Sequence, residues 1–282
     1  MSEIEFIDLW ERKKSNNISL IFPDWNSEDE RIVFFSPHDD DAILGAGYLI
    51  LAAQLYRAKI YIVIFCNGSA GYTTPEHKND IVKIREKESL NAYKNLGIPE
   101  ERIIRLNYDD FSIDFYTGRY MPDGNEGTFH RVISLLREIK TTRLILPNSY
   151  REHIDHLAVY KIGAFDGPQA GDSILADMST PVRIRSYLQY SVWGDFSAEE
   201  ALTSGVQPNV KANYAVLVSE NYEKQIHNSI LQFVSQSKII ESIIEQRKKR
   251  KIENKFMELY LKFNPRPKLE YSIYKNIISK LK

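Results

Sequence analysis

One cysteine, Cys66, stands in 282 residues. A lone thiol excludes an intrachain disulfide framework and any cysteine-based zinc cluster, so a metal in this chain must be held by histidine and carboxylate. Charge of one sign is also lacking: 37 Lys and Arg face 38 Asp and Glu, for a formal net charge of -1. No overall field then draws the chain to nucleic acid or an anionic membrane, and specificity has to come from a local site. Long hydrophobic runs are missing too. The longest, Ala42 to Leu55, contains glycines and a Gln and is too short to span a bilayer. The start, MSEIEFIDLWERKK, lacks the cationic-then-apolar order of a signal peptide. The expectations are a cytoplasmic residence, no transmembrane segment and no nucleic-acid partner, with a homo-oligomer left open.

What is present reads as an α/β chain. Ile32 to Phe35 (IVFF) is a buried strand that runs into Ser36-Pro37-His38 before a helix from Asp41 to about Arg57. Lys59 to Phe65 is a second strand, ended by the loop signal Asn67-Gly68-Ser69. A helix from Asn79 to about Leu96 closes with Gly97, and strands follow at Arg102 to Leu106 and Arg143 to Leu146, on either side of a helix from Thr128 to Ile139. This order predicts a Rossmann-like, mostly parallel sheet flanked by helices, with ligands bound beyond the carboxyl ends of the strands. After residue 167 the pattern changes. Val182 to Trp193 and Tyr214 to Val218 read as strands and Glu220 to Arg250 as one long helix, so a core of about 30–166 carries a C-terminal strand and helix annex of about 167–282 within a single domain.

Two clusters carry chemistry. His38-Asp39-Asp40-Asp41 puts a histidine and three carboxylates where a strand meets a helix, and they repel one another unless a cation or hydrogen bonds compensate. Asp41 taken alone reads equally as a helix N-cap. His153-Ile154-Asp155-His156 also follows a strand and enters a helix, where residues three apart share a face. Two histidines and one carboxylate leave an open position on zinc for water, while a neighbouring carboxylate serves as general base. The same donors suit Fe2+, so metal identity is less specific than metal presence.

The strand followed by SPHDDDAILGAG, and HIDH about a hundred residues later, resembles the PIG-L/LmbE family of zinc-dependent N-acetylglucosaminyl de-N-acetylases. REKESLNAYKNLG (Arg85 to Gly97) and LNYDD (Leu106 to Asp110) are similar to further family segments, and the likeness covers roughly residues 30 to 166. The resemblance implies a single zinc on His38, Asp41 and His156, Asp40 as general base, and a protonated His153 stabilising the oxyanion. It also implies Asp155 as the partner that orients a histidine, and Arg85 in contact with substrate. A surface ion pair between Arg85 and Glu88 is the competing reading of that arginine. Four departures stand out: Asp39 and Ile154 replace family prolines, Ala42 stands where Glu is common, and Arg151, next to Tyr150, occupies a place where some members carry Tyr. The implied reaction is hydrolysis of an N-acetylglucosamine-type conjugate, a small molecule or glycoconjugate, to acetate and a free amine. The rivals are a phosphohydrolase with an HD pair, which belongs to all-helical folds, and a non-catalytic carbohydrate-binding or scaffold protein. Gly45-Ala46-Gly47 and Ser69-Ala70-Gly71 do not form a dinucleotide turn. The run Arg247-Lys248-Lys249-Arg250-Lys251 reads as a solvated helix end, Cys66 as a small hydrophobe, and His77, His130 and His227 as solvent or packing residues.

Overall fold

Short apolar runs bounded by polar turns build one continuous sheet. The structure, a computed structural model, describes residues 3–203 and 210–281. In chain order its elements are β1 (Ile4–Asp8), β2 (Lys13–Ser15), β3 (Arg31–Ser36), α1 (Asp41–Leu55), β4 (Lys59–Cys66), α2 (Ile81–Asn95), β5 (Ile103–Tyr108), α3 (Thr128–Ile139), β6 (Arg143–Pro147) and α4 (Ile154–Lys161). They continue as β7 (Ser186–Tyr190), α5 (Ala198–Thr203), β8 (Tyr214–Ser219), α6 (Glu220–Ile230), α7 (Ser237–Arg247), β9 (Lys251–Ile252), β10 (Lys255–Phe263) and α8 (Tyr271–Ile278). No helix among the described residues is long and apolar enough to cross a membrane.

The sheet order is β2-β1-β8-β10-β7-β6-β3-β4-β5, with β9 beside β10. From β7 to β5 all neighbours are parallel. The other half, β10, β8, β1 and β2, is antiparallel. Strand β3 shows why its sequence is uniformly apolar: Ile32 and Phe34 face the core under α1, α2 and α6, whereas Val33 and Phe35 face the core under α3 and α4. Because β3 lies between β4 and β6, the strand order reverses at β3, and the carboxyl ends of β3 and β6 are where such sheets bind ligands. Both histidine clusters follow those two ends. A parallel sheet under the clusters also excludes the all-helical HD phosphohydrolase architecture.

Past residue 167 the strand expectations hold in outline, with β7 shorter than Val182 to Trp193, and both β7 and β8 join the sheet of the preceding segment. The long helix from Glu220 to Arg250 does not form. It breaks after Ile230 because Phe233 is drawn into the core and Ser235 gives both its N–H and its hydroxyl to the buried Glu88 carboxylate, each at 2.7 Å.

The basic run also departs from the solvated reading. Lys248 and Lys249 are exposed, but Arg247 is buried and Arg250 largely so. Helix α1 loses regular geometry at Ala46 (φ -137°, ψ 18°), and the cations fill the gap. The Leu44 carbonyl accepts from Arg247 at 3.0 Å and Arg250 at 2.8 Å, while the Tyr48 N–H donates to Glu258 at 2.8 Å. Arg247 further pairs with Glu223 and Arg250 with Glu258. A solvated run would tolerate alanine throughout. Lys248→Ala with Lys249→Ala should therefore stay within about 0.5 kcal/mol of wild type. Arg250→Ala, by contrast, should cost about 2–3 kcal/mol through two lost charged hydrogen bonds. Urea denaturation midpoints check this, and equal midpoints for the two variants would contradict the assignment.

Candidate metal centre and active site

The turn after β3 is tied down by its own carboxylates. Helix α1 starts at Asp41 with Asp40 in the cap position, yet Asp40 makes no capping hydrogen bond. Asp41 instead turns back, and its Oδ2 accepts the His38 backbone N–H at 2.8 Å. The same oxygen lies 3.1 Å from His38 Nδ1 and 3.1 Å from His156 Nε2. The N-cap reading of Asp41 is thereby replaced by a buried carboxylate held between two imidazoles.

Helix α4 supplies the other half. His153 is its N-cap: Nδ1 accepts the Asp155 N–H at 3.1 Å. Asp155 turns toward the first cluster, with Oδ2 3.2 Å from His38 Nε2 and accepting the Phe111 N–H at 2.7 Å. His156 is fully buried. Its Nδ1 is 2.9 Å from Glu152 Oε2, and its Nε2 faces Asp41 Oδ2 at 3.1 Å without hydrogen-bond geometry.

Glu152 was not singled out in the sequence. Its second oxygen accepts from the N–H groups of Val192, Trp193 and Gly194 and from the Ser191 hydroxyl, at 2.8–3.1 Å. One buried carboxylate thus joins His156 to the loop after β7, whose Trp193 ring lies 5.3 Å from the His156 ring. The signal was a carboxylate four residues before a candidate ligand, since a metal-binding histidine usually hands its other nitrogen to such a group.

Asp39 is buried as well, and its charge is offset. Arg85 Nε donates to it at 3.0 Å and Arg105 pairs with its other oxygen. Arg85 reaches Asp40 at 3.4 Å with its Nη2. The surface pair with Glu88 is not formed: Arg85 is buried, because Asp39 and Asp40 lie on the core side of α2 while Glu88 is engaged by Ser235. Arg105, on β5, was missed by sequence reading, since a lone cation in a short strand carries no signal of its partner. At the rim, Arg151 has a left-handed backbone (φ 52°) and lays its guanidinium 5.3 Å over the Tyr150 ring.

The electrostatics separate the neighbours. Burial raises the Asp40 carboxyl above its ordinary range, with Arg85 opposing. Burial acts on Asp41 in the same direction, but His156 and His38 outweigh it and hold that carboxyl well below the usual range. Burial disfavours the His156 cation, yet Asp41 and Glu152 raise its pKa to about 9. His38 is likewise raised, burial being overcome by Asp155 and Asp41. His153 is lowered, by burial first and then by His38. Burial pushes the Cys66 thiol up to about 12, which keeps it a neutral hydrophobe beside His38.

One nitrogen from His38, one oxygen from Asp41 and one nitrogen from His156 lie within 4.8 Å of one another. His38 also falls within that span of His153 with Asp155, and of Cys66 with Asp110. The set with His156 fits a metal best, because it holds a buried nitrogen with no other partner and surroundings that favour positive charge between its members. Two imidazoles and a carboxylate are the donor set of catalytic zinc sites.

The PIG-L family model, GlcNAc-PI de-N-acetylase, matches residues 33–164. That match takes in both histidine clusters, α1 and α4. Three solved structures share the fold over most of the chain. A conserved protein from Thermus thermophilus is 19% identical at TM-score 0.61, covering 84% of this chain and 96% of its own. The N,N'-diacetylchitobiose deacetylase of Pyrococcus horikoshii is 17% identical at TM-score 0.61, covering 88% and 90%. The 4-carboxy-2-hydroxymuconate hydratase of Pseudomonas putida is 13% identical at TM-score 0.61, covering 86% and 99%. No curated protein matches this chain significantly. One fold carrying a deacetylase and a hydratase leaves the reaction to be argued from the site.

Beside the donor set a cavity of about 660 Å³ opens between α1 and the C-terminal segment, lined among others by Leu44, Gly45, Trp193, Lys249 and Met257. Gly45 permits this junction: a Cβ there would sit 2.3 Å from the Tyr190 ring and 2.9 Å from the Ser191 carbonyl. The glycines of the Gly45-Ala46-Gly47 stretch thus serve close packing.

Proposed function

We propose that the protein is a zinc-dependent hydrolase of the PIG-L type that removes the acetyl group from an N-acetylglucosamine-type conjugate, releasing acetate and a free amine. The buried His38/Asp41/His156 set, whose His156 Nε2 faces Asp41 without forming a hydrogen bond, carries this reading. Zinc held there supplies a Lewis acid for the amide carbonyl and acidifies water, and Fe2+ is the alternative that the same donors suit.

The chain's own residues divide the remaining work. Asp40 stands beside the donor set without belonging to it; as general base it takes a proton from the attacking water and returns it to the leaving nitrogen. Arg85, fixed by Asp39, orients that carboxylate. His153 differs from the sequence expectation of an imidazolium. Its Nδ1 is occupied by the Asp155 N–H, so a neutral ring carries its hydrogen on Nε2 and donates from there to the developing oxyanion. Asp155 holds His38 and Glu152 holds His156, each fixing a ring tautomer. The cavity behind Trp193, built mainly from residues outside the matched 33–164, receives the rest of the substrate, a small molecule or glycoconjugate.

Purified protein should contain about one zinc per chain, and His156→Ala should lose it. Elemental analysis checks the metal, and acetate and amine release from a panel of N-acetylglucosamine conjugates checks the reaction. Full metal occupancy in His156→Ala would remove that residue from the set. A zinc-loaded protein that releases neither product from any conjugate would overturn the hydrolase reading.

A further inference from the structure

The last helix packs against nothing. In α8 no residue is buried, and Tyr271, Ile273, Tyr274, Ile277, Ile278 and the following Leu281 are each more than half exposed. At about 100° per residue these side chains fall on one face, and Ser272, Asn276 and Ser279 on the other. Lys275 and Lys280 flank the apolar face on its two sides and form no ion pair among the described residues. The nearby acid is spent locally, since Glu270 accepts the Ser272 N–H at 2.9 Å as helix cap. Residues 264–282 hold five Lys and Arg against that one Glu, in a chain whose formal net charge is -1. The root of the segment is fixed to the body by Arg266, which pairs with both oxygens of Asp172 at 2.7 Å.

We infer that α8 docks the protein on an anionic lipid surface. An exposed apolar face bordered by lysines is the build of a helix that lies in a bilayer interface, its aliphatic and tyrosine side chains among the acyl boundary and its ammonium groups at the headgroups. Charge decides against a second copy of the same helix, because pairing two cationic segments brings like charges together. Size decides as well. Eight helical residues span about 12 Å, a strip far short of the roughly 800 Å² per partner of a stable protein interface. A single short helix of this kind gives reversible attachment, strengthened by each lysine near a negatively charged surface.

Co-sedimentation with phosphatidylcholine vesicles, with and without phosphatidylserine, tests the inference on the full chain. Wild type should bind the phosphatidylserine vesicles at low salt and release them at high salt. Ile277→Glu with Ile278→Glu, and separately Lys275→Glu with Lys280→Glu, should each weaken binding by about tenfold or more. Turnover of a soluble substrate should be unchanged in both, since α8 touches no part of the active site. Absence of binding at low salt, or equal binding by wild type and both variants, would overturn the inference. So would a dimer by light scattering that Ile277→Glu with Ile278→Glu disperses, since the apolar face would then be covered by a second copy.

Discussion

Asparagine in place of Asp40 is expected to slow amide hydrolysis by roughly 10²–10⁴-fold, the usual contribution of a general base, with zinc content unchanged. The expectation follows from where the two adjacent carboxylates point. Asp41 Oδ2 lies 3.1 Å from an imidazole nitrogen on either side and is buried. Asp40 keeps some solvent access and leans on Arg85. An amide at position 40 keeps the size and loses only proton affinity, and Arg85 retains its stronger partner Asp39, so the fold and the donor set survive. Asp41→Asn removes a charge that both imidazoles face, so its metal content should fall and activity should be lost through metal loss. Zinc content and single-turnover rates for both variants separate the roles. If Asp40→Asn sheds the metal and Asp41→Asn keeps it, the assignment is out of register by one residue.

The second large effect is on stability. Asp39→Ala should cost about 3–5 kcal/mol, the usual penalty for removing one partner from a buried ion pair. Asp39 is completely buried, and its two oxygens are taken by Arg85 and Arg105. Arg105 already has a buried Nη2 without a partner, so little else is at hand to receive its charge. Against total stabilities of about 5–15 kcal/mol this is a large fraction. Asp39→Asn keeps two polar atoms and should be milder. Asp39→Pro is the informative variant, because proline is what the family motif usually carries there. In this chain it should be as damaging as alanine, since the two arginines that oppose Asp39 would remain. Urea denaturation of the three variants checks the order, and a proline variant as stable as wild type would mean that the arginines find other partners.

The parallel half of the fold was legible because each strand from β3 to β6 is a short apolar run closed by a turn signal and separated from the next by a helix with its own period. The C-terminal half was less so. Between Glu220 and Arg250 helix-forming residues continue without a local stop, and only the burial of Phe233 and the Ser235–Glu88 pairing interrupt them. Strand β10 (KFMELYLKF) was not anticipated, although it joins the two halves of the sheet by pairing with β7 and β8.

Within the site, chemistry concentrated in a few consecutive residues could be read directly. His38, Asp40, Asp41, His153, Asp155 and His156 come from two tetrapeptides, each at the junction of a strand and a helix, and local geometry alone brings such residues to one end of the sheet. The residues that hold them came from elsewhere in the chain. Glu152 acts by reaching a loop about forty residues later, Arg105 by lying on the strand beside β4, and Arg247 and Arg250 by closing a break in α1 some two hundred residues away. Composition, motif spacing and periodicity thus pointed to a cluster of metal-binding residue types at the switch point of a parallel sheet, because these are properties of neighbours along the chain. Which charges are buried, which arginines compensate them and which lysines remain in solvent was decided by tertiary structure, because a charge is compensated through space and the sequence does not record its distance to a partner.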